Sequence, residues 1–186
     1  MRKVLILSVI VMLLFLPACK AITPTETPTE NVKDTILLSS SAFNNLEKIP
    51  ERYSNYGDDV SPSLQWSNVP QDPQSFAIVM DDPDAWPSTF THWIIFNIPI
   101  NKSGLPEGIP QDLTLQDGSK QGKNDFGNIG YNGPRPPSGQ THHYKFTIYA
   151  LEKVLDIEGG VSIQGFLKAI SGHILAKGTL VGLYGD

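Results

Sequence analysis

The sequence predicts a mainly β domain with one clear helix, and three observations carry that expectation. Ser75 to Asp82, Thr91 to Pro99 and His142 to Leu151 each alternate with the two-residue side-chain period of a strand. Only Ile163 to Ala176 carries an apolar stripe at helical spacing. The connections are dense in Gly, Pro, Asn and Asp, the residues that make turns. Once an N-terminal segment is set aside, the 186 residues suit a single domain with one sizeable core.

That segment begins Met1-Arg2-Lys3 and continues as the apolar run Val4 to Ala18, the basic n-region and short h-region of an export signal. The run falls short of the roughly 20 residues a membrane span needs. Leu16-Pro17-Ala18-Cys19 resembles a bacterial lipobox, with Pro17 departing from the pattern, so Cys19 is the expected lipidation site. Ordinary secretion with an unmodified cysteine is the alternative. Lys20 to Asp34, rich in Thr, Pro and Glu, reads as a disordered tether reaching about 45 Å at roughly 3.1 Å per residue. The expected organisation is a signal peptide over 1–18, a lipidated cysteine and tether over 19–34, and a folded domain over 35–186. Such a protein would be exported and lipid-anchored to the cell membrane or envelope.

Cys19 is the only cysteine, so the chain has no internal disulfide and core packing must supply its stability. The formal charge is −5. Cleavage after Ala18 would remove Arg2 and Lys3, taking 14 bases to 12 against 19 acids, a net charge of −7. With no basic run and an acidic surface, nucleic acid is not an expected partner.

Along the domain, Thr35 to Ser41 reads as the first strand, and Gly57 to Trp66 as a turn leading into a short strand. In Ser75 to Asp82, Phe76, Ile78 and Met80 share a face, so Asp82 falls on the apolar side, an unusual place for a carboxylate. In the next strand His92, Ile94, Phe96 and Ile98 share a face, again with a polar residue opening an apolar row. Pro99 to Gly127 is loop-like, with a short strand expected near Leu113 to Leu115. Ser162 is the expected N-cap of the helix, with Phe166, Leu167, Ile170, Ile174 and Leu175 in its apolar stripe. Gly172 weakens that helix, Gly178 allows it to stop, and Thr179 to Tyr184 closes the chain as a strand. His173 falls on the helix as a packing or exposed residue.

The chain is organised around Gly127 to Leu151, a loop feeding a strand. Gly127, Gly130, Gly133 and Gly139 leave backbone N–H groups unshielded, while Pro134, Pro136 and Pro137 stiffen the loop, an arrangement suited to cradling an anion. The Arg135-Pro136-Pro137 segment reads as a loop brace, with a polyproline ligand as the alternative. In the strand that follows, His142, Tyr144, Phe146 and Ile148 share one face, and His143, Lys145 and Thr147 the other. If the first two strands pair antiparallel, Asp82 and His92 lie at one end of the sheet. His142 joins them if its strand runs parallel to that of His92. Tyr144 would add a hydroxyl deeper in the pocket. The expected chemistry is anion recognition without a nucleophile. Asp84, in Asp82-Pro83-Asp84, is either a ligand contact or an Asx-turn residue. A two-His, one-carboxylate metal set from Asp82, His92 and His142 has no supporting local spacing, so neither a metal nor another cofactor is expected.

The sequence is similar to the phosphatidylethanolamine-binding protein family, specifically its bacterial Raf kinase inhibitor-like branch, from about Ile36 to Asp186. The resemblance is carried by Ser61-Pro62 through Leu64 and Trp66, Asp82-Pro83-Asp84-Ala85, His92-Trp93, and Gly130-Tyr131 with Gly133-Pro134-Arg135-Pro136-Pro137. His142 with Tyr144, Tyr149-Ala150-Leu151, Gly172-His173 and Leu180-Val181-Gly182 complete it. It implies an antiparallel β-sandwich with a large central sheet and one or two short helices, and a pocket for phosphate-like or phospholipid head groups. Carried over by motif, the ligand-binding residues are Asp82, Asp84, His92, Tyr131, Gly133, His142 and Tyr144. Asp59, Ser63 and Asn132 depart from the pattern, Asn132 standing where bacterial relatives often have Arg. The expected function is non-enzymatic binding of phosphate-bearing small molecules or phospholipid head groups by a membrane-tethered domain. A protein-interaction module such as a peptidase inhibitor, its partner unidentified, is the alternative. A hydrolase using His92 or His142 as general base ranks third. Kinase inhibition is not carried over, because fold resemblance does not transfer a partner.

Overall fold

In the computed structural model, which describes residues 35–186, strands dominate. They are β1 (Leu37–Ser39), β2 (Glu47–Lys48), β3 (Leu64–Ser67), β4 (Ser75–Asp82), β5 (Phe90–Ile98), β6 (Gly104–Leu105), β7 (Lys120–Gln121), β8 (Thr141–Leu151) and β9 (Ile174–Gly185). A 3-10 turn at Glu51–Tyr53 and the helix α1 (Ile163–Ile170) accompany them. The expected signal peptide, Cys19 and tether lie outside the described residues. Among those described, no helix is long and apolar enough to cross a membrane.

A three-stranded sheet, β1-β3-β6, packs on a six-stranded sheet ordered β2-β9-β8-β4-β5-β7. The pairs are antiparallel except β2 with β9, so the large sheet is mixed at that edge. Leu38, Leu64, Trp66 and Leu105 from the small sheet meet Phe76, Ile78, Met80, Phe146 and Ile148 from the large one to make the main core. A second apolar layer covers the other face of the large sheet, where Ala77, Val79, Ile94 and Phe96 pack against Phe166 and Ile170 of α1. This explains the composition of β4. Its larger side chains fill the space between sheets and its smaller ones leave room for the helix, so the strand is buried on both faces.

Ser162 caps α1 as expected, its hydroxyl accepting from the Gly165 N–H at 3.3 Å. The helix ends at Ile170, six residues before the expected Ala176. Gly172 stands at φ 78° and reverses the chain there, so His173 lies in the connection and Ile174 already belongs to β9. Gly178 is required for a different reason: a Cβ on it would overlap the Ile36 carbonyl where β1 approaches β9. Leu113 to Leu115 forms no strand, only an isolated bridge from Thr114 to Lys120.

The order β8-β4-β5, antiparallel at both seams, makes β8 and β5 run in the same direction. The exit of β4 and the entrances of β5 and β8 therefore meet at one end of the large sheet. This topology assembles the site.

Candidate functional site

Asp82 ends β4 only 4% exposed. Its Oδ2 accepts from His142 Nδ1 at 2.7 Å, and its Oδ1 accepts from the Asp84 N–H at 2.9 Å. The alternation of β8 turns His142 inward with Tyr144, as its sequence requires, and the Gln140 side chain lies 3.0 Å from His142 Nε2. His143 points outward. Its N–H and its Nδ1 both reach Asp84 Oδ2, at 2.8 and 2.7 Å, and these contacts hold the Asp84 carboxyl below its ordinary range.

His92 reaches the site by a route the alternation does not predict. Two β-bulges put extra residues into β5: Met80 faces Trp93 while Asp81 faces Thr91, and Phe76 faces Ile98 while Ile78 faces Ile95. In an unbroken ladder His92 would follow Ile94, which pairs with Val79 on the helix side, and would stand across the sheet from Asp82. The bulge returns it to the inter-sheet face, edge-on to the Tyr144 ring at 5.2 Å. The expectation that His92, Ile94, Phe96 and Ile98 share a face is corrected: Ile98 joins Trp93 and Ile95 in the main core, and Ile94 and Phe96 face α1.

His92 Nδ1 lies 2.9 Å from the Asn132 carbonyl, which fixes the proton on that nitrogen. Burial lowers the pKa of His92 below 6.5, outweighing the nearby carbonyls of Asn132 and Gly133 and the carboxylates of Asp82 and Asp125. The ring is therefore neutral at pH 7 and presents Nε2 as an acceptor.

The glycine loop does not form the expected anion cradle. The N–H of Gly127 donates to the Asn124 carbonyl, that of Gly130 to the Gly122 carbonyl, that of Gly133 to Asp59 Oδ1 at 2.6 Å, and that of Gly139 to Asp186. Each is already bonded within the fold. Asp59 also accepts from Asn55 and from Asn132 Nδ2, and Asn124 donates to Asn132 Oδ1 at 2.8 Å. Asn132 is thus a buried brace between the loop and Asp59.

What remains is a cavity of about 170 Å³ lined by Asp82, His92 and His142 with Phe90, Phe126 and Arg135, and with Ala85, Trp86 and Pro137 at its edge. Its size suits a small polar group; ordinary small-molecule pockets are about 300–1,000 Å³. Larger depressions exist, such as one of about 770 Å³ over the small sheet, but its lining has no ionisable side chain. Tyr144 lies beneath the two histidines with a fully buried hydroxyl that makes no hydrogen bond among the described residues. Burial, and then the nearby Asp82 carboxylate, raise its pKa far above 10, so it remains a phenol. Arg135 is exposed at the mouth and forms no ion pair among the described residues. The two histidines and Asp82 do not form a metal set: among the described residues no three His, Cys, Asp or Glu side chains stand in a metal-holding arrangement.

A family model described as phosphatidylethanolamine-binding protein matches residues 39–185. The chain belongs to that family. It is 49% identical over 147 residues to a UPF0098 protein of Methanothermobacter thermautotrophicus, a match covering 79% of this chain and 97% of the relative. It is 36% identical over 157 residues to the UPF0098 protein YbhB of Escherichia coli, covering 79% of this chain and 98% of YbhB. A solved structure of a putative phosphatidylethanolamine-binding protein homolog from Chlamydia trachomatis is similar with a TM-score of 0.74 at 37% identity, covering 83% of this chain and 99% of that one. The structure of E. coli YbcL, described as a new member of the mammalian family, gives a TM-score of 0.77 at 31% identity and covers 82% and 99%.

Of the residues that the family resemblance carried over, Asp82, His92 and His142 line the cavity and Tyr144 underlies it. Three others stand outside its wall. Asp84 is turned to His143 on the surface. Tyr131 is buried, its hydroxyl donating to the Tyr53 carbonyl at 2.6 Å and its ring edge-on to Trp93. Gly133 packs on the backbone of Tyr53 and Ser54, where a Cβ would overlap the Tyr53 carbonyl. Residue-by-residue reading missed Arg135, Phe90 and Phe126. Arg135 carried a signal, a lone cation held between prolines in the loop before His142, but it reads equally as part of a brace. Nothing in the local pattern of Phe90 or Phe126 marks a cavity wall.

Proposed function

We propose that this member of the phosphatidylethanolamine-binding protein family binds phosphate-bearing small molecules or phospholipid head groups in this cavity, without chemical turnover. One observation carries the reading: Arg135 stands at the mouth of a cavity with no carboxylate partner among the described residues. A guanidinium so placed is a ready partner for an oxyanion, and a charge-assisted hydrogen bond is roughly twice as strong as a neutral one. The Tyr144 hydroxyl, buried beneath the two histidines with no hydrogen-bond partner among the described residues, is a further polar group under the cavity. The lining includes no serine, threonine or cysteine, which speaks against a hydrolase working through a protein nucleophile. Export and a lipid anchor on Cys19 would put the domain beside a membrane, and rest on the sequence of residues 1–19.

Calorimetric titration of the full chain with inorganic phosphate and with glycerophosphoethanolamine tests this. Arg135→Gln should weaken binding about tenfold or more, the scale of one hydrogen bond to a charged group. Absence of binding by both ligands at millimolar concentration would refute the reading. The alternative, a protein-interaction module such as a peptidase inhibitor, draws on Trp86, a large apolar side chain 91% exposed beside the cavity. Inhibition of a peptidase that Trp86→Ala abolishes, with phosphate binding absent, would establish that alternative.

A further inference from the structure

We propose that Asp59, which lines no part of the cavity, is the positioning residue of His92: acting through Asn132, it fixes the imidazole proton on Nδ1 and holds the ring in the cavity wall. The inference rests on the ligand-binding reading above and adds how a cavity group is held from outside. Asp59 stands 73 positions before Asn132 in the chain, and its backbone takes a φ of 55°. A left-handed conformation is strained for a residue with a Cβ, and such strain persists where the surrounding contacts over-determine it. Those contacts are three N–H groups. The Gly133 N–H donates to Oδ1 at 2.6 Å, and the side-chain amides of Asn132 and Asn55 donate to Oδ2 at 2.7 and 3.0 Å.

Asn132 is gripped by its side chain and holds His92 with its backbone. Its Oδ1 accepts from the amides of Asn124 and Asn128, at 2.8 and 3.0 Å, while Nδ2 donates to Asp59. Its carbonyl lies 2.9 Å from His92 Nδ1, and its N–H donates to the His92 carbonyl at 3.1 Å. A carbonyl oxygen only accepts, so the neutral ring makes this bond with its proton on Nδ1. Asn124 carries the same network to a second wall residue. Its Oδ1 accepts from the Phe126 N–H at 3.1 Å, and the Phe126 ring stands edge-on to His92 with centres 5.3 Å apart.

A carboxylate is needed at position 59 because each of these three partners is a donor. Acting only as an acceptor, with about four lone-pair sites, it takes all three N–H groups. An amide of the same shape accepts at one atom and donates at the other. Asp59→Asn therefore sets an NH2 group against at least one N–H donor, whichever way the amide turns. A buried donor without a partner is costly, and Asn132 is only 6% exposed. Asn132 moves to relieve the conflict, and its carbonyl moves with it. Freed of that acceptor, the neutral ring redistributes its proton between Nδ1 and Nε2.

Imidazole nitrogen chemical shifts, read by NMR on the full chain at pH 7, test the proposal. In the native protein His92 should show a protonated Nδ1 and a bare Nε2. Asp59→Asn and Asn132→Ala, which break the contact from its two ends, should each give His92 a mixture of tautomers. Asp59→Asn should also weaken phosphate binding by roughly twofold to thirtyfold, the range for coupling carried through packed contacts. Asn55→Ala, which leaves the Asn132 and Gly133 contacts in place, should keep the native pattern. An unchanged tautomer in folded Asp59→Asn, or an equal shift in Asn55→Ala, would overturn the proposal. A shifted tautomer with native affinity would overturn it too, by separating His92 from ligand binding. If Asp59→Asn does not fold, the tautomer in Asn132→Ala decides by the same criterion; failure of both to fold would make Asp59 a folding residue and overturn its positioning role. Phosphate titration of the native chain tests the ligand-binding reading separately, since absence of binding there refutes that reading and leaves the tautomer result standing.

Discussion

His92 and Asn132 hold each other through two hydrogen bonds: the ring Nδ1 meets the Asn132 carbonyl at 2.9 Å, and the Asn132 N–H donates to the His92 carbonyl at 3.1 Å. The pair ties the entrance of β5 to the glycine loop and places the ring proton on Nδ1.

The same burial makes His92 a stability determinant with a defined sign. Its folded pKa lies below the ordinary 6.5, so below that pH the unfolded ring takes up a proton before the folded one does. Its contribution is fully present above about pH 6.5 and is lost as pH falls through the folded value. Urea unfolding at several pH values should show stability declining from pH 6.5 to 5 in the native chain, with a shallower decline in His92→Gln. Equal slopes in the two proteins would mean that His92 is solvated.

His142 and His143 are adjacent, yet their side chains have opposite fates. His142→Ala should weaken phosphate binding about tenfold or more, since it removes the partner that orients Asp82. His143→Ala breaks a half-exposed pair with Asp84, of a kind worth about 0–1 kcal/mol, and should alter affinity less than about threefold. Calorimetry on both variants decides it; a larger loss for His143→Ala would exclude the cavity as the binding site.

Gly133 is expected to act through packing. Gly133→Ala drives a Cβ into the Tyr53 carbonyl and should cost about 1–3 kcal/mol in chemical denaturation, with phosphate binding impaired only as far as the loop shifts. Unchanged stability with lost affinity would instead put Gly133 in contact with the ligand.

Cys19→Ser tests the proposed anchor. The native protein should partition with membranes and carry the mass of an added lipid, whereas the variant should be soluble after cell lysis or released. Full retention of both properties in the variant would exclude lipidation at Cys19.

The sequence alone determined what depends on short-range geometry. The alternation of Tyr144, Phe146 and Ile148 with His143, Lys145 and Thr147 settles which way His142 points, because successive side chains of an unbroken strand take opposite faces. The bounds of β4 and the cap at Ser162 were legible for the same local reason, and the combined motifs were enough to indicate the family and its mainly β fold. Tertiary structure alone decided the rest. The bulge that turns His92 toward Asp82 belongs to the pairing of β5 with β4, and no pattern within β5 records it. The glycine loop looked like an anion cradle because its N–H groups are unshielded in sequence. Two of the acceptors that take those N–H groups, Asp59 and Asp186, lie more than forty residues away, and only the folded chain brings them within reach. Arg135 became a cavity residue in the same manner: a side chain's charge is written in its sequence, but what stands opposite that charge is set by long-range packing.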